Sequence, residues 1–266
     1  MTETRPSLSP LFADWSLTFK NLFLPQFCRQ CDARILTEEN SFFCPTCWEM
    51  SPDIERPFCS VCGRPHAETL GFGPPTNYPC AACREADIER PYDRIFGAAK
   101  YEGPVAEIVK LLKFNDRPRA AALLAERMVA LAEREGLDEA YDILAPVPLH
   151  TVRLRARGFN QAELLAHAIA PAFPSASVDT SLRRIRPTRT QSRMDSPEAR
   201  EANVRGAFAV DRESDLSGLR VLLIDDVVTT AVTAAECARA LRRAGAARVD
   251  VFAASLACGP NRLDVT

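Results

Sequence analysis

Excess positive charge, a long apolar run and a histidine cluster are all missing from this 266-residue chain, and each absence removes a class of function. Thirty-three basic residues face 35 acidic ones, a formal net charge of -2, so the protein is not coated in the positive charge of a general nucleic-acid binder. A local basic face stays open. No stretch approaches the ~18 apolar residues that a membrane span needs. Asp14 and Lys20 interrupt the most hydrophobic N-terminal run, and the first ten residues carry acid and Pro instead of a basic start. Neither a span nor a signal peptide is therefore expected, and a cytoplasmic location is. His66, His150 and His167 have no ligand spacing and read as surface or packing residues. At 47% hydrophobic and 26% charged, the composition excludes fibrous and disordered chains, and the length suits one large domain or a main domain with a smaller companion.

What the chain has in quantity is cysteine at one end. Eight of ten cysteines lie before residue 84, in four pairs of identical spacing: Cys28 and Cys31, Cys44 and Cys47, Cys59 and Cys62, Cys80 and Cys83. In a reducing compartment a Cys-x-x-Cys turn points two thiolates at one soft cation, and two such turns complete a tetrahedral Zn2+ site. Twelve residues separate the first two pairs and seventeen the last two, which suits ribbons in which short strands carry each turn, so about two structural zinc ions are expected. Gly63, directly after Cys62, suits a turn with positive φ. A disulfide framework is the competing reading, disfavoured by the missing signal peptide. Sequential pairing of neighbouring turns is preferred, and a crossed pairing stays open. Cys237 and Cys258 stand alone and read as small buried residues.

Three regions follow. Residues 1–25 hold Leu11, Phe12, Trp15, Phe19, Leu22 and Phe23 at helical spacing before Pro25, predicting an amphipathic helix docked on the rest of the protein. Residues 26–90 form a small double zinc ribbon with four cysteines at each site. Over residues 91–266 strand-like segments (YDRIFGAAKY, YDILAPVPL, RVLLIDD, RVDVFAASLA) alternate with helical ones (VAEIVKLLKF, AALLAERMVALAERE, QAELLAHAIA, TAAECARALRRAG). That alternation predicts an α/β fold, a mostly parallel sheet with flanking helices.

In open α/β sheets ligands bind beyond the carboxyl ends of the strands, and the most specific motif lies there. Residues 219–234, LRVLLIDDVVTTAVTA, read as a buried strand, two adjacent carboxylates, a hydroxyl-rich loop and a helix start near Thr233. Helix N-terminal amides and threonine hydroxyls suit a phosphate, while Asp225 and Asp226 can accept hydrogen bonds from a pair of ribose hydroxyls. One motif would hold both ends of a ribose 5-phosphate. The plainer alternative is that the two aspartates only cap the turn.

This motif resembles the signature of the type I phosphoribosyltransferases. More narrowly, with the cysteine pairs in front and YEGPVAEIVKLLKF (101–114), PVPLHTVRLRARGFNQAELLA (146–166), RPTRTQSRMDSPEAREANVRGAF (186–208) and VLLIDDVVTTAVT in that order, the chain is similar to the ComF family. The resemblance implies a type I phosphoribosyltransferase-like domain behind a zinc ribbon. It implies binding of phosphoribosyl pyrophosphate, with Mg2+ bridging pyrophosphate and ribose oxygens, and transfer of ribose 5-phosphate to an acceptor. It further implies a link to DNA uptake in natural transformation, with single-stranded DNA and a DNA-uptake helicase as partners. Carried onto this chain, Asp225 and Asp226 hold the ribose, and Thr229, Thr230, Ala231, Val232 and Thr233 hold the 5-phosphate. Arg153, Arg155, Arg157 and Gly158 occupy the place of the pyrophosphate loop, and Arg189 and Arg193 fall in a segment matching the mobile catalytic loop. Lys113 is family-like, or else a helix C-terminal charge. No residue stands out as the acceptor base.

Two departures leave turnover open. Thr229-Thr230-Ala231 stands where Thr-Thr-Gly is usual, and an alanine Cβ there costs about 1 kcal/mol if the backbone has positive φ. Thr229 also replaces an aspartate of the purine-salvage relatives, and threonine cannot act as that base. A second class of function therefore stays in view, a non-catalytic module for nucleotides or single-stranded DNA. Between residues 153 and 205 ten arginines face five acids, a local +5, which phosphate ligands and nucleic acid would both select.

Overall fold

The computed structural model describes residues 25–36, 40–66, 76–85, 90–113, 117–187 and 202–258. The expected helix over residues 8–24 lies outside them, as do Arg189 and Arg193. The chain divides into two compact units, Met1–Pro52 and Asp53–Thr266.

In the first unit a two-stranded antiparallel ribbon, β1 (Gln26–Phe27) and β2 (Arg34–Ile35), carries the Cys28–Cys31 turn. The Cys28 amide donates to Ala33 O at 2.8 Å and the Asp32 amide donates back to Cys28 O at 2.8 Å, with Asp32 at φ 60°. Cys44 and Cys47 sit instead on α1 (Pro45–Glu49), because Pro45 at the first helical position has its φ preset for a helix and lacks only an amide that would have no partner. Strands therefore carry one turn of the pair, and a single helical turn carries the other. The rings of Phe43 and Trp48 stack with their centroids 5.9 Å apart.

The second unit repeats this device. The Cys59 amide donates to Arg64 O at 2.8 Å, the Gly63 amide donates to Cys59 O at 2.9 Å, and Cys80 directly precedes the short helix α2 (Ala81–Glu85), within which Cys83 lies. Gly63 (φ 71°) takes the position of Asp32, and here glycine is obligatory, since a Cβ would come within 2.5 Å of Ile95 O. The turn is pressed onto a strand edge: Ile95 N donates to Val61 O at 2.9 Å and Ile54 N donates to Ala98 O at 3.0 Å. An exposed sheet edge is thereby covered.

The edge belongs to a five-stranded parallel sheet of β3 (Ile95–Lys100), β4 (Ile143–Pro146), β5 (Ser177–Val178), β8 (Arg220–Val228) and β9 (Arg248–Leu256), ordered β3-β9-β8-β4-β5. Val221 to Ile224 are all fully buried because helices cover both faces, and each such side chain contributes about 1.5–3 kcal/mol of burial. The helices are α3 (Gly103–Leu112), α4 (Arg117–Glu135), α6 (Gln161–Ile169) and α7 (Val232–Arg243), preceded in the case of α6 by α5 (Thr151–Arg157). A separate antiparallel pair, β6 (Leu182–Arg184) and β7 (Phe208–Val210), packs on α7. The mixed α/β class and the parallel sheet are as the alternation of segments predicts. The helix α5 is not, since the arginine-rich stretch after β4 reads as a loop in the sequence. Among the described residues, no helix is long and apolar enough to cross a membrane.

Strand order positions the site. From β8 the chain crosses by α7 to β9 on one side, whereas from β4 it passes through α5 and α6 to β5 on the other, so the order reverses between β4 and β8. Strand β4 ends at Pro146, opposite Ile224, while β8 continues beside β9 to Val228, opposite Leu256. Asp225 and Asp226 therefore border a notch where the neighbouring strand has stopped, the place where parallel sheets take ligands.

Candidate functional site

Asp225 and Asp226 turn their carboxylates back onto the strand end. Asp225 Oδ1 accepts from the Asp226 amide at 2.9 Å, and Asp226 Oδ1 accepts from the Val227 amide at 2.9 Å. The backbone is held from behind by Ser255, whose hydroxyl donates to Asp226 O at 3.1 Å. Asp226 is 9% exposed, and its Oδ2 is buried without a hydrogen bond. Lys113 Nζ stands 3.2 Å from that oxygen, a charge contact that lacks hydrogen-bond geometry and leaves the acceptor able to receive a hydroxyl. Part of the Asp225 surface stays accessible, yet protein encloses its carboxyl. That burial, with the Asp226 charge beside it, pushes Asp225 well above the usual carboxylate range.

After β8 come Thr229 and Thr230, both exposed, and then Ala231 at φ 57° and ψ 7°, the residue that caps the start of α7. A left-handed alanine carries the Cβ clash that glycine avoids, about 1–2 kcal/mol, and the departure noted in the sequence thus falls where it costs most. Ala231→Gly is expected to raise stability by about 0.5–1 kcal/mol net of glycine's entropy in the unfolded chain. Thermal denaturation of the full chain checks this, and an unchanged or lower midpoint would mean that the loop accepts alanine without strain. Val232 and Thr233 open the helix and are half-buried.

The arginines separate into groups. Arg153, Arg155 and Arg157 lie on the helix α5, with Arg155 exposed and the other two half-buried. Gly158 is the left-handed cap of α5, and its amide is spent on Leu154 O at 2.7 Å, so it offers no free donor to a phosphate. The expected loop of exposed amides is thus a capped helix that presents guanidinium groups. Burial lowers the Arg157 pKa while Asp226 counters it, and burial with Arg153 lowers that of Arg184 while Asp225 counters it. Arg183 is paired with Asp211 at 3.0 Å, and Arg186 donates to the Asn203 and Arg205 carbonyls, so these two brace the β6–β7 region. Asn160 caps α6 through the Ala162 amide and holds Val147 O at 3.0 Å.

The cysteines form two clusters of four, Cys28, Cys31, Cys44, Cys47 and Cys59, Cys62, Cys80, Cys83, each with its sulfurs within 4.8 Å of one another. Tetrahedral Zn2+ with sulfur at ~2.3 Å separates its ligands by about 3.8 Å. Cys31 and Cys44 stand 3.7 Å apart and Cys62 and Cys80 4.0 Å, and the amides of Val61, Cys62 and Cys80 donate to Cys59 Sγ at 3.2–3.4 Å, as they would to a thiolate. Both clusters fit structural zinc. Of the other two thiols, Cys237 is fully buried in α7 and Cys258 is half-buried. His66 stacks on Tyr78 at 3.8 Å, and His150 caps α5.

Sequence reasoning missed Glu236, whose buried carboxylate accepts from the Gly206 amide at 2.8 Å and pairs with Arg239, tying the end of the arginine-rich segment to α7.

The family model of the double zinc ribbon domain matches residues 19–84. The DNA utilization protein YhgH of Salmonella typhimurium is 35% identical over 202 residues, covering 73% of this chain and 88% of that protein. Competence protein F of Haemophilus influenzae is 26% identical over 200 residues, 74% of this chain and 83% of its own length. Among solved structures, a purine phosphoribosyltransferase from Pyrococcus horikoshii matches 50% of this chain and 73% of its own at 16% identity and a TM-score of 0.30.

Proposed function

From the premise that the chain belongs to the family of the DNA utilization protein YhgH, we propose that it binds phosphoribosyl pyrophosphate, or a related sugar phosphate, at the notch between β4 and β8. The observation that carries this reading is the buried Asp226 Oδ2, which accepts no hydrogen bond at a strand end that leads into a threonine loop and a twelve-residue helix. Lys113 offsets the charge of this oxygen without filling a hydrogen bond, and a ribose hydroxyl supplies the donor. Asp225 and Asp226 then fix the two ribose hydroxyls. Thr229, Thr230 and Thr233, with the amides of Ala231 and Val232, receive the 5-phosphate at the positive end of α7.

The reaction that suits this arrangement is transfer of ribose 5-phosphate. The C1–oxygen bond to pyrophosphate breaks with its electron pair leaving on pyrophosphate, and a bond from C1 to the acceptor forms. Arg153 and Arg157 stabilise the charge building on the leaving group. Mg2+, when it accompanies pyrophosphate, neutralises part of that charge. Asp226 is already countered by Lys113, so the acid pair fits a hydroxyl-accepting role better than a protein-held Mg2+ site.

A second reading, a module handling single-stranded DNA in uptake or utilization, is favoured by the relatives' names and by the three arginines of α5, of which Arg155 is exposed. Calorimetric titration of the zinc-loaded chain with phosphoribosyl pyrophosphate and Mg2+, beside a salt series with a single-stranded oligonucleotide, separates the two. Sugar-phosphate binding in the micromolar range is expected. Replacing Arg153, Arg155 and Arg157 by alanine should flatten any DNA salt slope by up to about one unit per lost phosphate contact. Tight DNA binding with a steep slope, and no sugar-phosphate binding at millimolar concentration, would reverse the order.

A further inference from the structure

One side chain, Leu256 at the end of β9, links the second cysteine cluster to the threonine loop. It is 3% exposed and occupies the space that two glycines leave open. A Cβ on Gly97 of β3 would come within 2.2 Å of Leu256 Cγ, and a Cβ on Gly63, beside Cys62, within 3.1 Å of Leu256 Cδ1. The cysteine turn therefore packs directly against this leucine. On the other side the Leu256 backbone pairs with Val228, the last residue of β8, and the Ala257 amide donates to Val228 O at 2.9 Å. The next residue in the chain is Thr229. Resting on the sugar-phosphate reading above, we propose that Leu256 is a positioning residue for the 5-phosphate loop, and that through it the second zinc ribbon sets the affinity of that loop.

The loop needs such a support. Thr229 and Thr230 are exposed, and among the described residues no backbone hydrogen bond holds either one. Their placement is inherited from the residues that bracket them, Val228 and the left-handed Ala231. Hydroxyl hydrogen bonds span only about 2.5–3.0 Å, so a shift of the strand end by about half an ångström takes both hydroxyls out of range of one phosphate.

The support comes from the ribbon. The Cys59–Gly63 turn is closed by the Gly63 amide on Cys59 O and fixed to β3 by the Ile95 amide on Val61 O. Its sulfurs, gathered with those of Cys80 and Cys83 within 4.8 Å of one another, are held there by the metal they bind, so loss of that metal releases the turn from Leu256. The cysteines of the first cluster belong to the other unit, Met1–Pro52.

The test is calorimetric titration of the zinc-loaded full chain with ribose 5-phosphate. Leu256→Ala is expected to weaken binding by about tenfold or more, and Leu256→Met, which conserves volume, to keep it within about twofold of the wild type. Val249→Ala truncates another fully buried side chain at the opposite end of the same strand, so it should lower the melting temperature yet leave the affinity within about twofold. Should Leu256→Ala not fold, Leu256→Val is read in its place. The zinc link is read in Cys28→Ser/Cys44→Ser, which keeps only the second cluster. That variant should bind like the wild type, and a chelator should then weaken its binding and speed amide exchange at residues 229–232 before β4 loses protection. Full affinity in the leucine variant, or an equal loss in Val249→Ala, overturns the positioning role. Affinity and exchange that stay unchanged after chelation, or exchange that rises in β4 and the loop together, overturn the zinc link. Failure of ribose 5-phosphate to bind the wild-type chain overturns the sugar-phosphate reading itself, and the role of Leu256 with it.

Discussion

Asp225→Asn/Asp226→Asn is expected to weaken binding of phosphoribosyl pyrophosphate by at least about a hundredfold, since each lost hydrogen bond to a charged acceptor removes about 1.5–3 kcal/mol. The two single variants should differ. Asp226 carries the charge that faces Lys113 and the oxygen left without a donor, so Asp226→Asn should account for most of the loss. Asp225 is held toward its protonated form by burial and by Asp226, and an amide resembles that form. Its effect on the free protein has the opposite sign. A carboxyl raised in the folded state keeps its proton while the unfolded chain gives it up, so stability falls as pH rises from the unfolded value near 4 toward the raised value. Asp225→Asn should therefore stabilise the ligand-free chain at neutral pH. Calorimetric binding and thermal melts of the three variants check both signs. Equal losses from the two single variants would show that the carboxylates share the charge evenly.

Removal of zinc should produce the largest change in stability. Elemental analysis should find about two zinc ions per chain, and thiol titration should find the eight ligating cysteines protected by metal and not joined in four disulfides. Structural zinc contributes on the order of 10 kcal/mol to the folding of small metal domains. Cys59→Ser/Cys80→Ser is expected to lose one ion and to lower the melting temperature of the α/β unit steeply, because the Cys59–Cys62 turn covers the β3 edge through Val61 and Gly63. Cys28→Ser/Cys44→Ser should lose the other ion and leave the melting of that unit much less changed, because those cysteines belong to the unit Met1–Pro52. Identical shifts from the two pairs would contradict that division, and an absence of zinc would remove its basis.

Sequence and structure divide along a line set by how far apart the interacting residues lie. Cys-x-x-Cys turns are local, so four of them announce two metal sites before any fold is known. The alternation of strand and helix, and an acidic pair where a buried strand meets a hydroxyl-rich turn, are also local, and the notch beside Asp225 and Asp226 lies where that pattern puts it. The helix α5 escaped because its arginines mask its periodicity. Val152 and Leu154 are exposed, so no apolar stripe marks a buried face.

What the sequence alone determined about this protein is its chemistry by type: eight thiols for soft metal, a parallel sheet, and an acidic pair followed by a threonine loop at the end of one strand. Only the tertiary structure decided which residues meet. Strand order brings Lys113 from the end of α3 to Asp226, sets Ala231 in a left-handed turn, and closes one cavity between the second zinc ribbon and the threonine loop. The reason is physical. Periodicity reports which face of an element is buried, whereas contacts between residues a hundred or more positions apart depend on how strands are ordered and registered, which burial patterns leave undetermined.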